Sequence, residues 1–486
     1  MERNKIGTNA LTLTVAKIIT LLIGMISSML LSRFRTLEEY GTYSQILLVI
    51  SVATSFFMLG LPNSINFFLG RSGTHEERRY FLSVYYTIST FMCLLMGIVL
   101  SVSVNLIVAY FNNEHIRDFI YILAVLPWTR VIINSISNVL VVYEKTKKLA
   151  LFNAANAMVA VIAVLIVKLF NLSFEIYMLL YILGESTMML WVYIIVSKLE
   201  TPIKPLLDIR MIKSIFKFSI PIGLASLVGT LTLECDKLVI GKLMDTETLA
   251  IYTNAARELP FTIIASSLTA VLLPQLARRL KEGKTEEAIE LWKATVELSY
   301  IIIAFFVAML IVYAPQIMTI LYSEKYIPGI NVFRVYSAVL LLRVTYFGMI
   351  LNASGRTKFI LYSSVITLLV NIVLDIFLYR IVGILGPAIA TFLSIFIAQM
   401  VQLIMTSRLI RIPFGEVFPW KRLLLHSGIN IVWGSIVFMV LRTLNVGVTG
   451  KEIFYCILSG VPVVSIYFLI ERRCALRLWK KLNAND

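Results

Sequence analysis

Eleven ionisable side chains fall inside long apolar runs or at their edges: Lys17, Arg130, Lys237, Arg257, Arg334 and Arg343, with Glu185, Glu234, Asp236, Glu258 and Asp375. An ionised group near a bilayer centre costs on the order of 3 kcal/mol or more, so each needs a partner or a watery cavity. Lys17 in TVAKIITLL and Arg343 in LLLRVTYFGM have no acidic residue within a helical turn. Asp236 and Lys237 are adjacent, so on a helix they diverge by about 100° and are not explained as one salt bridge. Lys237 lies near a span end, where its stem could also snorkel to the interface. Arg257 stands beside Glu258, which allows a local structural pair. Asp375 in NIVLDIFL follows Asn371 by one turn, which leaves both a side-chain cap and a proton-relay role open. Lys17, Lys237, Arg257 and Arg343 together suggest a cationic lining for an anionic substrate. Glu234, Asp236 and Asp375 are the carboxylates that could couple transport to a proton or sodium ion.

Catalytic patterns are missing. The chain has no HExxH and no phosphate-cradling GxxxxGKS or GxxxxGKT, and His75, His115 and His426 are far apart. Cys93, Cys235, Cys456 and Cys474 show neither ligand-like nor disulfide-like spacing. The expectation is a non-enzyme with no cofactor and no metal.

The elements that hold these charges are membrane helices. Of 486 residues, 59% are hydrophobic and 15% charged, against roughly half and a quarter in soluble domains. Apolar runs of about 20 residues recur throughout, each long enough to cross a hydrocarbon core of about 30 Å as a helix. The fold class is therefore all-α, with fourteen spans. Those that matter below are expected at roughly 42–69, 248–276, 294–321, 328–353 and 452–470. TEEAIELWKATVEL, before the ninth span, carries acidic residues first and helical apolar spacing, and is expected to lie on the bilayer surface. MERNKIGTNALTLTVAK shows no small-residue cleavage site, so the first run is expected to be a retained helix.

The net charge of +16 need not mean nucleic acid, because the basic residues occupy short loops. One alternate set of segments holds 29 lysines and arginines, among them Arg78, Lys147, Arg278 and Arg472, whereas the other holds 9. By the positive-inside rule both termini are cytoplasmic. The sparse side has loops too short for an outer domain, which argues against a membrane polymerase or glycosyltransferase.

The segment RFRTLEEYGTYS at 33–44 returns as KLMDTETLAIYT at 242–253, YEKTKKLALF at 143–152 returns as SGRTKFILYS at 354–363, and Pro62 falls on Pro274. Offsets of 209, 211 and 212 residues indicate duplication of a six-span unit, two copies of like orientation. The expected division is 1–200 and 201–411 as two six-helix lobes, with 412–486 as two further helices and a basic tail. Pro202 and Pro205 mark the linker.

The stretch FSIPIGLASLVGTLTLECDKLVIGKLMDTETLAIYTNAARELP resembles the polysaccharide and oligosaccharide-lipid flippases of the multidrug/oligosaccharidyl-lipid/polysaccharide exporter superfamily. These carry an Asp-Lys/Arg pair, then Ile-Gly, then Glu-x-Leu-Gly-x-Tyr. Asp236, Lys237, Ile240, Gly241, Glu247, Leu249 and Tyr252 match, and Ala250 replaces the usual Gly. RTLEEYGTYS, SGRTKF and GILGPAIATFLS look like further landmarks. The resemblance implies two lobes in a V around a cavity lined by spans one, two, seven and eight, hence by Lys17, Lys237 and Arg257. It implies export of a polyprenyl-diphosphate-linked oligosaccharide across a bacterial cytoplasmic membrane by alternating access, beside polysaccharide polymerase machinery. A multidrug or metabolite antiporter of the same superfamily and a lipid II flippase are the alternatives.

Overall fold

The computed structural model describes residues 2–443 except 202, 258, 260, 261, 345 and 346, with Tyr467, Glu471, Arg472, Cys474 and 476–478 beyond them; side chains at 2–13, 262–271, 344 and 357 are not described. Among the described residues all regular structure is helical. Eleven helices among the described residues are long and apolar enough to cross a membrane. The chain forms two compact units, Met1–Ala250 and Ile251–Asp486.

The first unit contains α1 (Glu2–Phe34), α2 (Leu37–Met58), α3 (His75–Val102), α4 (Val104–Phe111), α5 (Ile120–Val142), α6 (Thr146–Leu169), α7 (Phe174–Leu199) and α8 (Ile209–Leu243). Within it α1 packs along α6, α5 lies between α3 and α7, and α8 packs along α2. Short polar stretches start these helices. Thr36 accepts from the Glu39 amide at 3.1 Å while Glu39 accepts from the Thr36 amide at 2.9 Å, a reciprocal cap on α2. Thr74 and Glu77 repeat that arrangement on α3. Asp208 accepts from the amides of Arg210 and Met211 to cap α8. Those amides and the Tyr80 hydroxyl hold its carboxyl below the ordinary aspartate value.

After α9 (Thr246–Ala255), which crosses the boundary between the units, the second contains α10 (Thr262–Lys281), α11 (Thr285–Val312), α12 (Ala314–Leu321), α13 (Ile330–Val344), α14 (Met349–Ala353), α15 (Thr357–Val382), α16 (Leu385–Ile410), α17 (Phe414–Val417) and α18 (Trp420–Thr443). The α15–α16 hairpin is its most extensive pairing, and α11 packs against α10, α13 and α18.

The internal repeat is written into the backbone. Helices begin at 75 and 285, at 120 and 330, at 146 and 357, and at 174 and 385. The helix pairs α3–α4 and α11–α12 break at Ser103 and Tyr313, which share φ near −85°. The turns before α6 and α15 match in detail. Glu144 and Gly355 both have positive φ, and the next amide in each reaches back five residues, Lys145 to Leu140 at 2.8 Å and Arg356 to Leu351 at 2.9 Å.

Four expectations are corrected. The TEEAIELWKATVEL segment is the first half of α11, not a separate surface helix. Ala288, Ile289, Leu291, Trp292 and Val296 are all buried, covering more than the one face that a lipid-surface helix needs. The eighth expected span is two helices, α9 and α10, with Arg257 between them. The tenth is likewise divided, between α13 and α14. The second ends its α-helix at Met58, turns through Leu59 and Gly60 at positive φ and resumes as a π-helix at Ile65–Leu69. Pro62 sits in that turn, whereas Pro274 is inside α10, so the two prolines do not mark equivalent breaks. The expected fourteenth span, 452–470, lies outside the described residues apart from Tyr467.

Candidate functional site along the second and eighth helices

In the first unit a seam of small and polar side chains joins α2 to α8. At its narrow end a Cβ on Gly60 would lie 2.6 Å from the Gly223 nitrogen, and a Cβ on Gly223 would collide with the Leu59 backbone. Only glycine permits this approach, and Gly60 also holds φ at +73°. Farther along, Ser55 donates to the Thr230 hydroxyl at 2.9 Å, and Ser51 donates to Glu234 at 3.4 Å. At the far end the Gln45 amide donates to Thr246 at 3.2 Å, and Asn113 donates to Thr42 and Gln45 at 2.9 and 2.7 Å. Gly41 lies against the Thr246 backbone there. The duplicated turns RFRTLEEYGTYS and KLMDTETLAIYT thus meet at α2 and α9. In the second, Asp245 caps α9 through the Thr248 amide at 2.7 Å, the position held by Thr36 in the first.

Lys237 lies on this seam with a partner. Its ammonium contacts Glu234 one turn back at 2.7 Å, and both side chains are about one-fifth exposed. Asp236 points elsewhere and is 1% exposed, with its carboxylate accepting from the Lys237 amide at 2.8 Å. The carboxylate–ammonium pair is therefore Glu234–Lys237, and the Asp-Lys neighbours face different surroundings. Lys17 is exposed on α1. Thr14, Gly24 and Ser28 fall on the Lys17 side of that helix by 3.6-residue spacing.

The second unit holds the other candidates. Arg257 is half-buried in the break between α9 and α10, and Glu258 beside it lies outside the described residues. Arg343 is half-buried in the last turn of α13. Asp375 is fully buried in the α15–α16 hairpin, where the Asn371 amide donates to it at 3.0 Å and also reaches Thr391 at 3.4 Å. A groove of about 800 Å³ opens among α11, α13 and α18, lined chiefly by apolar side chains such as Val307, Ile311 and Phe438. Arg334 at its wall is tied to the Ile311 carbonyl at 3.2 Å and the Asn331 amide oxygen at 3.1 Å.

Two clusters were not assembled from the sequence. In the first unit Arg130 donates to the Tyr181 hydroxyl at 2.9 Å, the Tyr43 ring stands 6.2 Å from those of Tyr177 and Tyr181, and the Arg130 charge acts on buried Glu185. This network binds α2, α5 and α7 together, a structural use of two charges that the sequence marks as unusual. In the second unit Glu297, Arg422, His426, Glu471 and Cys474 converge. His426 spaced four residues from Arg422 was the available signal, but its partners come from a helix about 125 residues earlier and from the C-terminal segment.

The chain matches the family described as polysaccharide biosynthesis protein over residues 30–331. No curated protein matches it. Among solved structures it is similar to a lipid II flippase MurJ in an inward closed conformation, with TM-score 0.76, 17% identity, and coverage of 95% of this chain and 99% of the other. It is also similar to an inward-facing multidrug resistance MATE family transporter of the MOP superfamily, with TM-score 0.64, 15% identity and coverage of 81% and 94%. A MOP superfamily transporter from Pyrococcus furiosus gives 0.52, 14%, 84% and 95%. At these identities the likeness is one of fold. Eleven apolar helices, a polar seam through the first unit and a family match over more than half the length agree: the chain is a multi-pass membrane protein that belongs to the polysaccharide biosynthesis protein family.

Proposed function

We propose that the protein is a flippase carrying a polyprenyl-diphosphate-linked oligosaccharide from the cytoplasmic to the outer leaflet of a bacterial cytoplasmic membrane, by alternating access, for a cell-surface polysaccharide. The observation that carries this is the polar seam of α2 and α8, where hydroxyl, amide and carboxylate groups face one another between apolar helices, in a chain of a polysaccharide biosynthesis family. A diphosphate needs cations, and Lys17, Lys237, Arg257 and Arg343 are assigned to it. Lys237 meets it after exchanging Glu234 for phosphate, which leaves Glu234 free to take a proton or sodium ion. Asp236 and Asp375 are the further candidates for ion coupling. Both termini are assigned to the cytoplasm from the loop charges, and the 1–200, 201–411 and 412–486 division is retained as the functional one.

Deletion in the native host tests this: lipid-linked oligosaccharide accumulates and surface polysaccharide is lost. Unchanged surface polysaccharide with raised drug sensitivity would instead indicate the multidrug antiporter. A lipid II flippase is the second reading, favoured by the near end-to-end likeness to MurJ. It requires that depletion stop peptidoglycan synthesis while surface polysaccharide precursors are still exported.

A further inference from the structure

The five-residue cluster of the second unit shares no member with the charges assigned to transport. Three donor atoms of different kinds converge there: Glu297 Oε1 on α11, His426 Nε2 on α18 and Cys474 Sγ in the C-terminal segment, all within 4.8 Å of one another. Oε1 is 3.6 Å from Nε2 and 3.8 Å from Sγ. A tetrahedral zinc ion with ordinary bond lengths of about 2.1 Å to N and O and 2.3 Å to S separates such ligands by about 3.4 and 3.6 Å. The observed gaps are within about 0.2 Å of those edges. The 3.6 Å gap is also too long for a direct N–H···O hydrogen bond.

The surroundings complete the pattern. His426 Nδ1 meets Glu471 Oε1 at 3.1 Å. A carboxylate that accepts the Nδ1–H hydrogen bond fixes the tautomer whose Nε2 lone pair faces the gap, the outer-shell arrangement of zinc-bound histidines. Nε2 and the Cys474 thiol then both face Glu297 Oε1, the thiol donating to it at 3.8 Å, and a cation that displaces the thiol proton would sit among all three atoms. Arg422 contacts the other oxygen of Glu297 at 2.6 Å, fixing that carboxylate and leaving Oε1 for the gap. Glu297, His426 and Glu471 are each under a tenth exposed. A divalent cation and Arg422 together balance Glu297, Glu471 and a Cys474 thiolate, so the buried site is neutral. A cavity of about 510 Å³, lined by Glu297, Arg422, Lys293 and Lys421 among others, adjoins the cluster on its Glu297 side.

We propose that Glu297, His426 and Cys474 bind one zinc ion, with Glu471 and Arg422 orienting the ligands, and that the ion clips the C-terminal segment onto α11 and α18. Three protein ligands leave the fourth position to water. The full chain, purified in detergent without a polyhistidine tag, stripped with chelator and dialysed, is titrated with zinc chloride and, separately, with cobalt chloride. One metal per chain binds, cobalt gives the near-ultraviolet thiolate-to-metal charge-transfer band and tetrahedral visible bands, and zinc raises the unfolding temperature. Glu471→Gln weakens zinc binding 10- to 100-fold, as loss of an outer-shell partner does, and Cys474→Ser abolishes the charge-transfer band. A Cys93→Ser, Cys235→Ser, Cys456→Ser triple variant retains the band, which assigns it to Cys474 as the one thiol left. Absence of stoichiometric metal in the wild type, or cobalt spectra unchanged by Cys474→Ser, overturns the proposal.

Discussion

At the scale of single residues, an ionised side chain in a membrane helix has to be answered by a partner or by water, and Lys237 has both available. Its contact with Glu234 is within the first unit and about four-fifths shielded, between the surface case worth under about 1 kcal/mol and the buried case of about 3–5. Lys237→Met is therefore expected to cost about 1–3 kcal/mol, read as a lower unfolding temperature, and to stop export. The exchange Glu234→Lys with Lys237→Glu restores the stability and not the export, if the ammonium serves the substrate. Equal recovery of both would make the pair merely structural. Asp375→Asn keeps the Asn371 contact geometry, so the chain still inserts, and it removes the dependence of export on the ion gradient; a gradient response identical to wild type would exclude Asp375 from coupling. The positions of these charges were legible from one-dimensional patterning, and so was the Asn371–Asp375 turn, because a helix places i and i+4 together. The Glu234–Lys237 pair was equally local, but the adjacent Asp236 drew the comparison. The Glu297, His426 and Cys474 convergence was not legible, since no helical period links residues on three separate elements.

At the scale of elements, the seam depends on backbones that touch. Gly223→Ala sets a methyl against the Leu59 backbone, where no side-chain end can swing aside. Overpacking of this kind costs about 1–3 kcal/mol, and Gly60→Ala adds the left-handed penalty of about 1–2 kcal/mol. Both are read by thermal unfolding of the purified chain, with Gly229→Ala, which has open space around it, as the neutral control. A Gly223→Ala protein as stable as the control would mean that α2 and α8 do not pack as described. Duplication was legible because caps and turns carry their own sequence signals: Thr36 and Asp245 both cap, and the Thr-Lys turns before α6 and α15 share their backbone shape. The breaks after Met58 and Ala255 were hidden, because hydropathy averages over a window and reports apolar length without reporting helical continuity. The same averaging cut α11 in two, where the acidic start of TEEAIELWKATVEL masked a stretch that is core on nearly every side.

At the scale of the whole molecule, composition alone settles that the chain is a helical membrane protein, and the family match over 30–331 ties it to polysaccharide biosynthesis. What it moves is a question for chemistry at the seam. The proposed assignment of Lys17 and Lys237, which lie within apolar spans, to the substrate favours an anionic head group over a cationic drug. The direct measurement uses proteoliposomes holding the purified protein and a fluorescent polyprenyl-diphosphate oligosaccharide, with translocation followed by quenching of the outward-facing label. The wild type equilibrates the label between leaflets, and Lys17→Gln, Lys237→Gln and Arg343→Gln each slow it by at least about 10-fold, the loss of about 1.4 kcal/mol or more of charge-assisted binding. No translocation by the wild type, or rates in all three variants equal to it, would contradict the assignment of this protein as a cation-lined flippase.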